Sequence, residues 1–162
     1  MTAVGSIRRP VCQDRQALAD MLERCSRLTI QRRFHGPRST FPEKYLTDAV
    51  YRRYGHYALL AEAADGSVVA LASCVSVAVH VADLAVLVED RYQRRGIGSA
   101  LLEGLLRHAD RSGISMFKTN VLAEQQWIVA GLRRYGRCAA RVSRGVFDVT
   151  MCREEGQRTW IS

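Results

Sequence analysis

Apolar and polar positions alternate most tellingly between residues 82 and 109. Leu84 to Glu89 is a run rich in valine and leucine, of strand length, and the strand is expected over Asp83 to Glu89. After it, Leu101, Leu102, Leu105, Leu106 and Ala109 recur at helical spacing, with Glu103, Arg107 and Asp110 on the opposite side. Between the two lies a polar turn carrying Gly96 and Gly98. The pattern therefore predicts a strand, a glycine turn and a helix in immediate succession.

The rest of the chain extends this pattern. Val4 to Arg8 reads as an opening strand. Asp14 is placed to cap a helix through Cys25, with Leu18, Met21, Leu22 and Cys25 as its apolar stripe. Residues 26–41 read as irregular, with one short helical turn from Thr29 that Gly36-Pro37 breaks. Pro42 suits the first turn of a further helix through Tyr54. Tyr57 to Ala63 and Val68 to Val79 read as strands joined by the Asp65-Gly66 turn. The link from Val77 to Ala82 has no turn chemistry, and its turn is left unplaced. Gly113 stops the leucine helix. Ser115 to Leu122 reads as a strand, Glu124 to Tyr135 as a helix, and Arg137 to Ser143 with Val146 to Cys152 as a final hairpin. The expected order is β-α-α-β-β-β-α-β-α-β-β. It predicts an α/β (α+β) fold, with one mixed, mostly antiparallel sheet of about seven strands and helices on both faces. Residues 1–154 form the domain, and 155–162 a loose tail.

Composition narrows the function. With 162 residues the chain suits a single domain with a real core. Neither a membrane-spanning apolar segment nor a signal-peptide pattern is visible, so a cytoplasmic protein is expected. The net charge of +8 comes mostly from arginine, spread along the chain without a nucleic-acid-binding motif. It is read as codon preference plus a site for an anionic ligand, not as a nucleic-acid face. The five cysteines lack metal spacing and are expected to be buried free thiols. No metal site is expected.

The glycine turn has a physical use. The first amides of a helix lack partners and sit at the positive end of its dipole, where a phosphate binds well. Gly96 and Gly98 allow close approach, and Arg94 and Arg95 add positive charge. The spacing is neither that of a dinucleotide fold nor that of a P-loop. Gln93-x-x-Gly96-x-Gly98, after an apolar strand and before a leucine helix, resembles the acetyl-CoA pyrophosphate loop of the GNAT N-acetyltransferases. The whole element order is similar to that family's. Leu28 to Pro37 and Val121-Leu122-Ala123-Glu124 are similar to segments of bacterial protein-lysine acetyltransferase GNAT domains. This chain departs from that group in Gln125, where the helix there begins with Asn, and in its shorter link from Val77 to Ala82.

The resemblance implies an acetyl-CoA-dependent N-acetyltransferase acting on a primary amine, either a protein lysine or a small molecule. It implies cofactor contacts at Gln93, Arg94, Arg95, Gly96, Ile97, Gly98, Ser99 and Gln125. The pantetheine would run beside Val86, Leu87 and Val88, where a backbone N–H polarises the thioester carbonyl. The family's catalytic Glu is matched by Asp83, with Glu89 as the rival base or else a solvated strand-end charge. The Tyr that protonates the leaving thiolate in many relatives is matched by Leu132; Tyr135, one turn away, is expected to point differently. A thiolate can leave without such an acid. These departures motivate an alternative reading as an acyl-CoA sensor or catalytically weak module. The partners expected are acetyl-CoA and an amine, with neither nucleic acid nor membrane, in a monomer or homodimer. The segment from Leu28 to Phe41 is expected to line the acceptor entrance.

Overall fold

The computed structural model describes residues 4–154, and their apolar positions sort onto the two faces of one seven-stranded sheet. Its strands are β1 (Val4–Arg8), β2 (His56–Ala63), β3 (Val68–Ala78), β4 (Val81–Val88), β5 (Met116–Leu122), β6 (Arg137–Ser143) and β7 (Val146–Cys152). They lie in the order β1-β2-β3-β4-β5-β7-β6, antiparallel except for β4 and β5. The helices are α1 (Arg15–Arg24), α2 (Arg27–Phe34), α3 (Glu43–Val50), α4 (Ile97–Arg111) and α5 (Gln126–Leu132).

Side chains of successive strand residues point to opposite faces. Leu60, Leu71 and Leu87 therefore share one face, where they pack against Leu18, Met21 and Leu22 of α1 and Leu46, Ala49 and Val50 of α3. Ala70, Ala72, Ala82 and Leu84 share the other, under Leu101, Leu105, Leu106 and Ala109 of α4. On that second face α5 adds Val129 and Leu132, against Phe117, Val121, Val149 and Met151. Among the described residues, no helix is long and apolar enough to cross a membrane.

The expected α/β architecture holds, with one helix more than expected. Residues 27–34 form α2, not a single turn: Ser26 caps it by accepting from the Thr29 amide, and His35 ends it in the left-handed conformation at φ 57°. The helix after Pro42 closes at Val50, short of Tyr54. The last helix starts at Gln126, after a 3₁₀ turn over Ala123–Gln125. The unplaced turn is a tight reversal at Val79-His80. His80 takes φ 62°, its ring nitrogen Nδ1 lies 2.7 Å from the Gly113 carbonyl, and its own carbonyl accepts from the amides of Ser115 and Met116. That contact ties the turn to the start of β5. Of the cysteines, Cys25 and Cys74 are buried and their thiols are pushed up to about 12, mainly by burial. Cys12 is exposed, and Cys138 and Cys152 are half-buried, correcting the expectation that all five are buried. The expected tail at 155–162 lies outside the described residues.

One irregularity of the sheet matters for function. β4 pairs with β3 all the way from Val81 to Val88, and β5 pairs with β7 from Met116 to Leu122. β4 and β5 pair with each other only at Val81↔Met116, Ala82↔Phe117 and Asp83↔Lys118. Beyond Asp83 and Lys118 the two strands part.

Candidate acetyl-CoA and acceptor site

The parting of β4 from β5 leaves a stretch of β4, residues 84–88, whose outward backbone groups lack a neighbouring strand among the described residues. Unpaired strand groups are a template for another extended chain. At the end of β4 the chain passes through a 3₁₀ turn, Asp90–Tyr92, and enters α4.

The entry to α4 is held by a polar network. The Asp90 carboxylate accepts from the Ser26 amide at 2.8 Å, from Ser26 Oγ at 2.6 Å and from Thr29 Oγ1 at 2.9 Å. Burial opposes its charge, but these hydrogen bonds outweigh burial and hold the carboxyl below its ordinary range. Gln93 Nε2 donates to Thr29 Oγ1 at 3.0 Å and to the Val88 carbonyl at 2.9 Å. Gln93 thus fastens the loop to α2 and to the end of β4, and points inward. Arg94 at φ 57° and Gly96 at φ 81° then turn the backbone through the left-handed region, which glycine tolerates without strain. Gly96 is the N-cap of α4 and provides no side-chain cap, so the first amides of this fifteen-residue helix keep their anion-binding capacity. The residues from Arg94 to Ser99 thus combine helix-start amides with two arginines, chemistry that suits an anion.

The two carboxylates expected as candidate bases have opposite surroundings. Asp83 is exposed, on the sheet face covered elsewhere by α1 and α3, and its carboxylate makes no hydrogen bond or ion pair among the described residues. Glu89 is 2% exposed. It accepts from Arg24 Nε at 3.0 Å and from Arg91 Nε at 2.7 Å. The alternative of a solvated strand-end charge at Glu89 is thereby corrected: tertiary packing buries its carboxylate and brings the partly exposed Arg24 over from α1 to pair with it. Val86 and Val88 pack toward α4, whereas Leu87 packs under α1, so only their backbones line the gap. Gln125 is buried at the N-terminus of α5.

Leu132 is buried in the core, without any acid function. The Tyr135 hydroxyl is engaged on α4, donating to Glu103 Oε1 at 3.2 Å. Burial first, and then the charge of Glu103, push its pKa up.

Ser26 and Glu124 shape this region beyond the expected site residues. Ser26 is legible in the sequence as an N-cap, a serine just before the first helical residue, and it accepts from the Thr29 amide. Glu124 had no such signal: its ion pair with Arg32, at 3.0 Å, joins α2 to the turn after β5 and so links the two sides of the gap. Among the described residues, no group of three or more His, Cys, Asp or Glu is placed to hold a metal.

Comparison with known proteins agrees with this geometry. No curated protein matches the sequence. Among solved structures, the GNAT domain of S. lividans PAT superposes with a TM-score of 0.79 at 22% identity, covering 91% of this chain and 89% of that one. The PaiA N-acetyltransferase of Thermoplasma acidophilum, in complex with coenzyme A, gives 0.65 at 16% identity, over 91% and 98% of the two chains. Spermidine N-acetyltransferase from Vibrio cholerae, in complex with CoA and spermine, gives 0.72 at 11%, over 98% and 99%. At these identities the likeness is one of fold. The profile of the Acetyltransferase (GNAT) family matches residues 17–129, most of the chain, and the chain belongs to the GNAT family of acetyltransferases.

Proposed function

We propose that the protein transfers the acetyl group of acetyl-CoA directly to a primary amine, a protein lysine or a small-molecule amine, with Asp83 as the general base. The observation that carries this is the β4–β5 gap, which opens at Asp83 and runs alongside unpaired β4 backbone to the uncapped start of α4. CoA complexes of two proteins with this fold support the choice of donor.

Each part of the chain has one task in this reading. The amides from Arg94 to Ser99 hold the diphosphate. The free edge of β4 at 84–88 holds the pantetheine as an added strand, and one of its N–H groups polarises the thioester carbonyl. The amine attacks the carbonyl carbon, forming a C–N bond while the C–S bond breaks. Asp83 takes the amine's proton through a water, because its carboxylate is one methylene shorter than the family's usual Glu. The thiolate leaves without a dedicated acid and is protonated by solvent. Glu89 serves the scaffold, holding α1 to the end of β4.

The loop gives a direct test. A Cβ on Gly98 meets only Val86 Cγ1 at 3.8 Å and Val88 Cγ2 at 3.9 Å, so the backbone accepts a side chain without refolding. Branching it covers the amides. Gly98→Val is expected to weaken acetyl-CoA about tenfold or more, about 1.4 kcal/mol, with an unchanged circular dichroism spectrum. Unchanged affinity by calorimetry in the folded variant rules the loop out.

The acceptor side is read from α2. Arg33 lies over the rings of Phe34 at 4.6 Å and Tyr45 at 5.3 Å, and Arg32 holds Glu124. Replacing either arginine by alanine is expected to change the acceptor KM severalfold and acetyl-CoA KM less. Equal changes in both count against an acceptor entrance here.

A panel of amines, scored by acetyl-CoA-dependent release of free thiol, tests the activity itself. Tight acetyl-CoA binding with no thiol release on any amine favours the alternative of an acyl-CoA sensor, which the engaged Tyr135 and the buried Leu132 keep in view.

A further inference from the structure

The diphosphate loop has an aromatic neighbour that the family reading does not use. Trp127, in the first turn of α5, is 56% exposed although it is the largest apolar side chain near the loop. The Arg94 guanidinium lies 5.4 Å from the centre of its ring. Arg94 has no carboxylate partner among the described residues. Its backbone at φ 57° is also unusual for an arginine, and it aims the side chain across the loop toward α5.

An exposed indole and an unpaired guanidinium, set against each other beside a phosphate-binding helix end, complement an aromatic base joined to phosphates. A flat base gains from stacking on an indole, and a guanidinium forms stronger, forked bonds with a phosphate than with a ring face. The adenosine of CoA is attached through the diphosphate, so its base lies within a few bonds of the loop. Resting on the acetyl-CoA reading above, we propose that Trp127 is the stacking surface for the cofactor's adenine. Arg94, which lies over that indole, serves a phosphate of the bound cofactor. Trp127 is then a specificity residue for the nucleotide end, separate from the pantetheine contacts along β4.

Fluorescence and calorimetry test this in the full chain with the second tryptophan, Trp160, replaced by phenylalanine. Trp127 is then the single indole. CoA and dephospho-CoA, which carry the adenine, are expected to change its emission; 4′-phosphopantetheine, which lacks it, is not. Trp127→Ala is expected to weaken CoA about tenfold and leave 4′-phosphopantetheine affinity unchanged, while Trp127→Phe keeps most of the CoA affinity. Equal CoA affinity in the parent and in Trp127→Ala overturns the proposal and leaves the acetyl-CoA reading standing. Equal losses for CoA and 4′-phosphopantetheine also overturn it, since Trp127 then acts through the loop. A parent that binds no CoA removes the acetyl-CoA reading and the proposal together.

Discussion

Asp83→Asn is expected to lower kcat by ~10²- to 10⁴-fold while leaving acetyl-CoA affinity nearly intact. The amide keeps the size of the side chain and removes its basicity. An amine near its ordinary pKa is mostly protonated at neutral pH, so a carboxylate close to the point of attack has a proton to remove. Geometry favours Asp83 for this role because its carboxylate is exposed and unengaged among the described residues, at the point where β4 leaves β5. The simpler role, an Asp that bonds nearby backbone at a strand start, lacks such a bond here. Asp83→Glu is expected to retain part or all of the activity. Glu89→Gln is the informative contrast: with both oxygens engaged by arginines, its loss should lower stability and leave kcat within a few fold. A pH–rate profile with a competent amine decides the matter. Wild-type turnover by Asp83→Asn across the neutral range excludes the assignment.

The largest expected effect on stability lies at the far end of α4. Arg153 is only 1% exposed in its side chain, and its guanidinium reaches Asp110 Oδ2 at 3.0 Å and the Tyr135 carbonyl at 2.8 Å. Asp110 is itself mostly buried, at 12%. This contact fastens the C-terminal turn of α4 to the residue just after β7. It counts for little as a net gain, because both charges left water to make it. Removing one partner is different, since the other charge stays buried. Arg153→Met, which keeps much of the volume and leaves the Asp110 carboxylate buried without its guanidinium, is therefore expected to cost about 3–5 kcal/mol, which is a drop in Tm of roughly 10 °C or more for a domain this size. Asp110→Leu combined with Arg153→Met removes both charges at once and should cost less. Thermal unfolding of the single and the double variant checks the order, and equal losses contradict it.

The same buried pair shows where sequence reading reaches its limit. Periodicity puts Asp110 and Glu103 on the polar side of α4, yet both meet partners from later in the chain, Arg153 and Tyr135. A helical wheel describes one helix and says nothing of residues that arrive from beyond it. Glu89 was open to two readings for the same reason, as Arg24 arrives from 65 residues away. The loop from Gln93 to Ser99 could be read because its chemistry is local: two glycines, a helix start and the strand before it. Its side chains were less transparent, and Gln93 turned out to anchor the loop from within. α2 was underestimated because RLTIQRRF is mostly polar and buries only Thr29 and Ile30, too narrow a stripe to show a period. The turn at His80 escaped because a histidine in the left-handed region replaces the usual glycine or asparagine. The mixed, mostly antiparallel sheet follows from the element order, but the order of strands within it and the parting of β4 and β5, on which the proposed site depends, are matters of pairing that no residue type announces.

Backbone amide exchange with and without acetyl-CoA tests the central claim most directly. Among the described residues the amides of 84–88 that face away from β3 lack a strand partner, and those at the start of α4 lack a helical one. If acetyl-CoA adds a strand to β4 and sets its diphosphate on α4, exchange slows in both stretches together, at ligand concentrations that calorimetry shows to saturate binding. Saturated binding with unchanged exchange at 84–88, or protection confined to another part of the sheet, contradicts the account.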